Sequence, residues 1–345
     1  MSVHQRPAGL LPAHASRYRP GAGTHVESWF LRANHPAQRK ALWLKATLSV
    51  PQVGAPVAEA WFVWFDPDNG QRRAGRATVA LGDRQLDAEI LELEVAGCHL
   101  RLERGAGSGK GELTSGDGSL RWDLSWQAAP GDLGRPMYVQ SHPWLLEGPI
   151  PKSKTVTPLP ALLVSGQVHV DGEPHALEGW IGSLGHNWGK DQPWALAWAQ
   201  CVFPDAEGEP HCFVEGFSAK LKMGPIITPW ISVLIVRRGD REWRFDKLVD
   251  LWRQDSRIDD LGWVLRIRGG DGDAMLTLRA RPEDIVCLSY PNPDGAQACC
   301  LNSKLASAEL RVNPTNEEGF TCQTEHGAAL EFQRRDFDPR FPVDA

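Results

Sequence analysis

The chain is expected to be all-β, built as two barrel-like units packed together, and three features predict it. Strand-length apolar runs recur through most of the 345 residues. Clusters of Gly, Pro, Asn and Asp break them at short intervals, and no long segment carries a helical apolar period.

Taken in order, Met1–Gly23 is rich in Pro, Ala, His and Arg and lacks the apolar stretch of a secretory signal. Residues 1–23 are therefore expected to be a disordered tail. Strands are predicted at Glu27–Arg32, Leu42–Val50, Ala58–Phe65, Arg76–Leu81, Gln85–Val95, His99–Glu103, Ser119–Gln127 and Ala161–Val170, with turns such as Asp66-Pro67-Asp68-Asn69-Gly70 between them. Arg104–Gly111 echoes a phosphate-binding loop, but Arg104 stands where the first glycine belongs and Gly111 where Ser or Thr must hold magnesium. It precedes a strand pattern rather than a helix and reads as a flexible hairpin tip. Pro143–Pro160 carries Trp144, Leu145, Leu146 and Ile150 and reads as an ordered excursion across a barrel mouth. His169 and His175 flank an Asp-Gly turn without a third ligand at recognisable spacing, so no metal is expected.

Gly185-His186-Asn187-Trp188-Gly189 has turn chemistry, a glycine at each end and an asparagine between. Trp194–Phe203 and His211–Ala219 read as two strands joined through Pro204–Pro210, and further strands are predicted at Trp230–Arg237, Arg241–Leu248, Trp263–Arg268 and Ala274–Arg279. Candidate unit boundaries are Lys222–Pro229 and, second, Pro143–Pro160.

Fifteen tryptophans against three tyrosines and four methionines suit barrel cores or the walls of an apolar cavity. A net charge of −6 gives no footprint for nucleic acid. No apolar run of about 18 residues is present, so no integral membrane insertion is expected. Seven cysteines without CxxC spacing imply reduced thiols and a cytoplasmic location.

The stretch from Gly179 to Glu215 gathers the residues with chemical capacity. Period-2 alternation puts His211, Phe213, Glu215 and Phe217 on one face. If that face points inward, desolvation raises the Glu215 pKa and makes it an acid near neutrality. The alternatives are a solvent-facing face with chance aromatics, or a rim glutamate paired to an arginine. With one imidazole, a carboxylate, amides and many indoles, but no Rossmann glycines or metal set, the expected chemistry is proton transfer without a cofactor. His186 and Glu215 are the candidate acid/base pair with Trp188 beside them, and Trp180, Asn187, Trp198, Gln200, Phe213 and Phe217 are the candidate substrate-binding residues. The structural alternative is that His186 caps its turn through a backbone carbonyl and Trp188 plugs the barrel end.

Gly185–Gly189, the Trp194–Gln200 run, Glu27–Arg32 and Leu42-Trp43-Leu44 resemble the carotenoid 1,2-hydratase and AttH-like family of double-lipocalin proteins, with tocopherol cyclases and fungal lipocalin-like Diels–Alderases as more distant relatives. The resemblance runs from about His25 to the C-terminus. It implies two lipocalin-like β-barrels and places the His-Asn-Trp turn at the end of the first, which gives domains 24–222 and 223–345. The family's proposed catalytic groups are a His-x-Trp pair and, some two dozen residues on, a Tyr-x-Asp pair. His186-x-Trp188 matches the first; Phe213-x-Glu215 stands at the second, keeping the acid and losing the tyrosine hydroxyl.

The function expected is a hydratase or a cyclase/isomerase acting by acid/base chemistry on a hydrophobic isoprenoid or polyketide-like small molecule. The second reading is a non-catalytic carrier of a hydrophobic ligand, and the third a structural protein with side chains filling both barrels. No sequence feature specifies an oligomeric state.

Overall fold

The computed structural model describes residues 11–82, 86–116, 118–140, 143–149, 151–223, 225–247, 250, 254–293 and 295–345. Within them the chain is antiparallel β with short helical turns, as its punctuation predicts. Strands β1 (His25–Asn34), β2 (Ala41–Val50), β3 (Val57–Asp66), β4 (Gln71–Ala80), β5 (Leu91–Val95), β6 (Cys98–Glu103), β7 (Ala106–Ser115) and β8 (Gly118–Ala128) are followed by β9 (Met137–Tyr138), the short helix α1 (Pro143–Glu147), β10 (Ser153–Val170) and β11 (Glu173–Gly189). These form one curled sheet in the order β4-β3-β2-β1-β11-β10-β8-β7-β6-β5, with β9 beside β10.

The second curled sheet takes β12 (Ala195–Pro204), β13 (Pro210–Lys220), β16 (Ile231–Arg238), β17 (Arg241–Phe245), β18 (Gln254–Ile258), β19 (Gly262–Gly269), β20 (Gly272–Arg279), β21 (Val286–Pro291), β22 (Gln297–Pro314) and β23 (Phe320–Arg334). Between β13 and β16, β14 (Lys222–Met223) and β15 (Ile226–Ile227) pair only with each other.

The change of sheet falls at residues 190–194, ahead of the expected break at 222/223, because β12 and β13 pair with β23 and β16. The Pro/Gly punctuation at Lys222–Pro229 marks a side hairpin, while the true crossover is short and lies between two strong strand signals.

Each sheet encloses its own core. Trp29, Leu31, Trp64, Trp122, Trp126, Trp180 and Leu184 pack inside the first, and Val214, Phe245, Trp263, Leu276 and Phe332 inside the second. The sheets also press against each other, so β1 is buried on both faces: Trp29, Leu31 and Ala33 face the first core, whereas Phe30 joins Trp43, Trp61, Trp198 and Tyr290 at the junction. Ten of the tryptophans therefore pack in the two lumens or the seam between them.

Two glycine-rich segments are strand, contrary to expectation. Arg104-Gly105 makes the turn, but Ala106–Ser115 is β7, with Gly107, Gly109 and Gly111 set against the Trp126 and Trp122 rings. A Cβ on Gly107 would lie 2.6 Å from the Trp126 indole nitrogen, so the glycines make room for rings rather than for phosphate. Likewise Gly185–Gly189 closes the seventeen-residue β11 and is no turn. A Cβ on Gly185 would stand 2.2 Å from the Phe30 ring, and one on Gly189 2.1 Å from the Lys152 carbonyl. Close approach between strands selects glycine here.

The expected disordered tail is corrected over its described part. Pro12–Ser16 and Tyr18 are buried against the first sheet; Met1–Leu10 lie outside the described residues, as do Gln85 and Leu248 of two predicted strands.

Candidate functional site

His186 and Glu215 belong to two different buried environments. His186 alternates along β11 with Leu184 and Trp188, on the inner face of the first sheet. Its ring stacks on Trp29, with centroids 4.9 Å apart, and leans on Trp188 at 5.0 Å. Nε2 lies 2.8 Å from the Glu27 carboxylate and Nδ1 lies 2.7 Å from the Ala13 carbonyl oxygen. Both partners are acceptors, so an imidazolium satisfies both bonds. Burial pulls the ring toward its neutral form, and Glu27 opposes it.

Glu27 collects further donors from Ser16 Oγ, the Arg17 and Tyr18 backbone N–H groups and His25 Nε2. Although burial acts the other way, the hydrogen bonds and charges of His186 and His25 hold its pKa well below the usual carboxylate range. Trp29 Nε1 donates to the His14 carbonyl at 2.9 Å, and the Arg17 guanidinium sits 4.7 Å above the Trp188 ring. The His186–Trp188 end of the first barrel is thus sealed by residues 12–18, with Leu146 of α1 also packed on Trp188.

Glu215 faces the junction. Val214 beside it points into the second core, while Phe213 and Phe217 join the packing between the sheets. Its carboxylate accepts from Thr157 Oγ1 of β10 and, at 3.0 Å, from Trp198 Nε1 of β12. Burial raises its pKa, opposed by Thr157, Trp198, Gln200 and the charge of Arg32. Among the described residues Glu59, Asp66 and Asp284 are the buried carboxylates paired with Lys or Arg, and Glu27 is hydrogen-bonded by His186 and His25; Glu215 has no ion pair.

Of the predicted site residues, Trp198, Gln200, Phe213 and Phe217 assemble around Glu215. Gln200 stands opposite Glu215 in the β12–β13 register and accepts from Arg32 Nε at 3.2 Å. His186 and Trp188 form the second group, and Trp180 lies deeper in the first core, stacked on Trp64 at 5.8 Å. Asn187 alternates to the opposite face of β11. The predicted meeting of His186 with Glu215 does not occur: the first sheet lies between the faces that hold them.

Arg32, Thr157 and Glu27 are functional candidates that sequence reasoning passed over. Arg32 is buried, its pKa lowered by burial to about 10, and its Nη2 has no hydrogen-bond partner among the described residues. Alternation with Phe30 on a strand buried on both sides was its signal. Glu27 had one too, since it shares a face with Trp29 and Leu31. Thr157, before Pro158, had none.

A separate crevice of about 600 Å³ opens on β5–β7, bordered by Glu92, His99, Arg101 and Lys110. Through Leu93, His99, Leu100 and Gly109 it continues into an apolar void of about 40 Å³ beside Trp29, Trp122 and Trp126.

No family model matches the chain. It is 26% identical over 300 residues to an uncharacterized protein of Mycobacterium tuberculosis, found in strains CDC 1551 and H37Rv, with 86% of this chain and 83% of the relative covered. Among solved structures it is similar to a protein of Nitrosomonas europaea assigned to AttH, at TM-score 0.54 and 12% identity over 94% of this chain and 99% of that one. Kievitone hydratase of Nectria haematococca matches at TM-score 0.52 and 11% identity, over 90% and 89% of the two chains. The protein CghA, solved with Sch210972, matches at 0.52 and 11%, over 90% and 88%. The chain shares the fold of these proteins, which are of the kinds that its motifs resemble.

Proposed function

We propose that the protein is a cofactor-independent acid/base enzyme of the hydratase or cyclase kind, acting on a hydrophobic substrate, with Glu215 as its acid. The observation that carries this is a fully buried carboxyl group with no ion pair among the described residues, whose pKa burial raises. A structural glutamate at such a depth is expected to have a cation, whereas an acid that must hold its proton near neutrality is better without one. The hydratase among the similar structures agrees with this reading.

In this reading Glu215 transfers its proton to an alkene or carbonyl carbon framework, and the Trp198 face, with Phe30 and Phe217, stabilises the cation that forms. Water, or a nucleophile within the substrate, then forms the new bond, and its proton returns to the carboxylate. Glu215 is 1% exposed, so this reading requires the packing at the junction to open before substrate reaches it. His186 and Trp188 serve as the anchor of the N-terminal segment.

Glu215→Gln keeps the shape and removes the acid. Turnover should fall roughly 10²–10⁴-fold with ligand affinity nearly unchanged. Equal turnover would remove Glu215 from this role. Stoichiometric binding of a hydrophobic ligand without conversion, insensitive to Glu215→Gln, would support a carrier instead.

A further inference from the structure

Arg32 is a buried guanidinium whose hydrogen-bond partners are all neutral. Nε donates to Gln200 Oε1 at 3.2 Å, and Nη1 donates to Asn34 Oδ1 at 2.8 Å and to the Gly327 carbonyl at 3.2 Å. No carboxylate forms an ion pair with it among the described residues, and Nη2 has no hydrogen-bond partner among them. Two other buried cations, Lys304 and Arg237, each have a carboxylate, Glu331 and Glu242. Burial lowers the Arg32 pKa to about 10, which leaves the group charged at neutral pH. Glu215 acts on it only at longer range, and while it holds its proton it supplies no counter-charge. A buried charge is ordinarily paired, so this guanidinium is complementary to an anion from outside the chain.

Ser183 repeats the pattern on the neighbouring strand. It is the partner of Arg32 in the β1–β11 register, so both side chains leave the first sheet on one face, and that face is the junction, where Arg32 meets Gln200. Ser183 is fully buried, and its Oγ has no hydrogen-bond partner among the described residues. Because β11 lies between β1 and β10, Ser183 stands between the strand of Arg32 and the strand of Thr157. Across from them Gln200 accepts from Arg32 and Glu215 accepts from Thr157. The junction therefore carries one polar row through apolar packing, and the unused donors in that row, a guanidinium N–H and a hydroxyl, lie on the first-sheet side of Glu215.

We propose that, resting on the reading of Glu215 as a neutral acid, Arg32 Nη2 and Ser183 Oγ form a subsite for a carboxylate borne by the hydrophobic substrate. A carboxylate accepts from both donors and matches the charge that the fold leaves without a partner. Arg32 and Glu215 already sense each other's charge, so an anion at Arg32 also raises the Glu215 pKa further, and binding prepares the acid. The substrate class is thereby narrowed from any hydrophobic molecule to a hydrophobic acid.

The test is calorimetric titration of the full chain with decanoate and hexadecanoate, against decanol and hexadecanol as probes that lack the charge. Wild type should bind the carboxylates at least ~10-fold more tightly than the alcohols. Arg32→Met should abolish that preference while alcohol binding persists. Ser183→Ala, which removes a hydroxyl without a partner, should reduce the preference several-fold at an unchanged thermal midpoint. If Arg32→Met does not fold, Ser183→Ala and the wild-type preference decide. Wild type that binds neither class of probe, or both equally, overturns the proposal, as does a preference that the variants retain in full. Glu215→Gln separates this subsite from the acid, because the preference should be unchanged in it. Full turnover by Glu215→Gln with the preference intact removes the acid and leaves the subsite; lost turnover with no preference in wild type removes the subsite and leaves the acid. Carboxylate affinity raised ~10-fold or more in Glu215→Gln overturns both, since Glu215 would then be ionised and be the counter-charge of Arg32.

Discussion

Thr157 of β10 and Glu215 of β13 are hydrogen-bonded across the junction of the two sheets, so a buried carboxyl group with no ion pair among the described residues is held jointly by both. Thr157→Val removes that donor and leaves Trp198 as a partner. The hydrogen bond favours the charged carboxylate, so its loss should raise the Glu215 pKa further and cost ~1 kcal/mol in denaturant unfolding. A downward shift would show that burial is not what governs this group.

Glu215 also fixes a sign for the pH dependence of stability. Its pKa is raised in the folded state, so its contribution is complete below the ordinary glutamate value of 4.5 and is lost as pH rises through the raised value. Unfolding free energies of wild type and Glu215→Gln, measured from pH 4 upward, should therefore diverge as pH rises, with the glutamine variant lacking that decline.

Glu27 predicts the opposite limb. Its folded pKa is depressed, so its contribution is present above 4.5 and lost as pH falls. Glu27→Gln should cost ~3–5 kcal/mol near neutrality, because it breaks a buried pair and leaves His186 without its carboxylate. The deficit should shrink toward acid pH.

If His186 anchors residues 12–18 rather than reacting, His186→Gln should lower the thermal midpoint while the folded enzyme keeps turnover within a few-fold. Loss of turnover on the scale of Glu215→Gln, at unchanged midpoint, would restore the imidazole to the reaction.

Gly107 gives a packing test unrelated to chemistry. Gly107→Ala places a methyl group against the Trp126 ring and the Arg101 carbonyl, and overpacking of this kind costs ~1–3 kcal/mol. Unfolding at wild-type denaturant concentration would show that β7 can shift.

Most of the strands were legible because alternation and punctuation survive in sequence, and so was the face that carries Phe213, Glu215 and Phe217. What alternation cannot tell is which surface buries a face: Glu215 lies between sheets, where a single-barrel picture would have put it in a lumen. The glycines of β7 and of Gly185–Gly189 were misread for one reason. Tight approach to Trp126, Phe30 and the Lys152 carbonyl selects the same residue that a turn selects. The burial of Ala13 and His14 depends on Glu27 and His186, far along the chain, and no local pattern announces it.

The account turns on Glu215 holding a proton at the junction. The most direct measurement is the infrared carboxyl stretch of Glu215, taken as the difference between wild type and Glu215→Gln across a pH titration. The predicted result is a protonated-carboxyl band that persists above the ordinary glutamate range and disappears in the glutamine variant. A carboxylate band already complete by pH 5 would contradict it, and Glu215 would then be an ordinary buried anion stabilised by Thr157, Trp198 and Arg32.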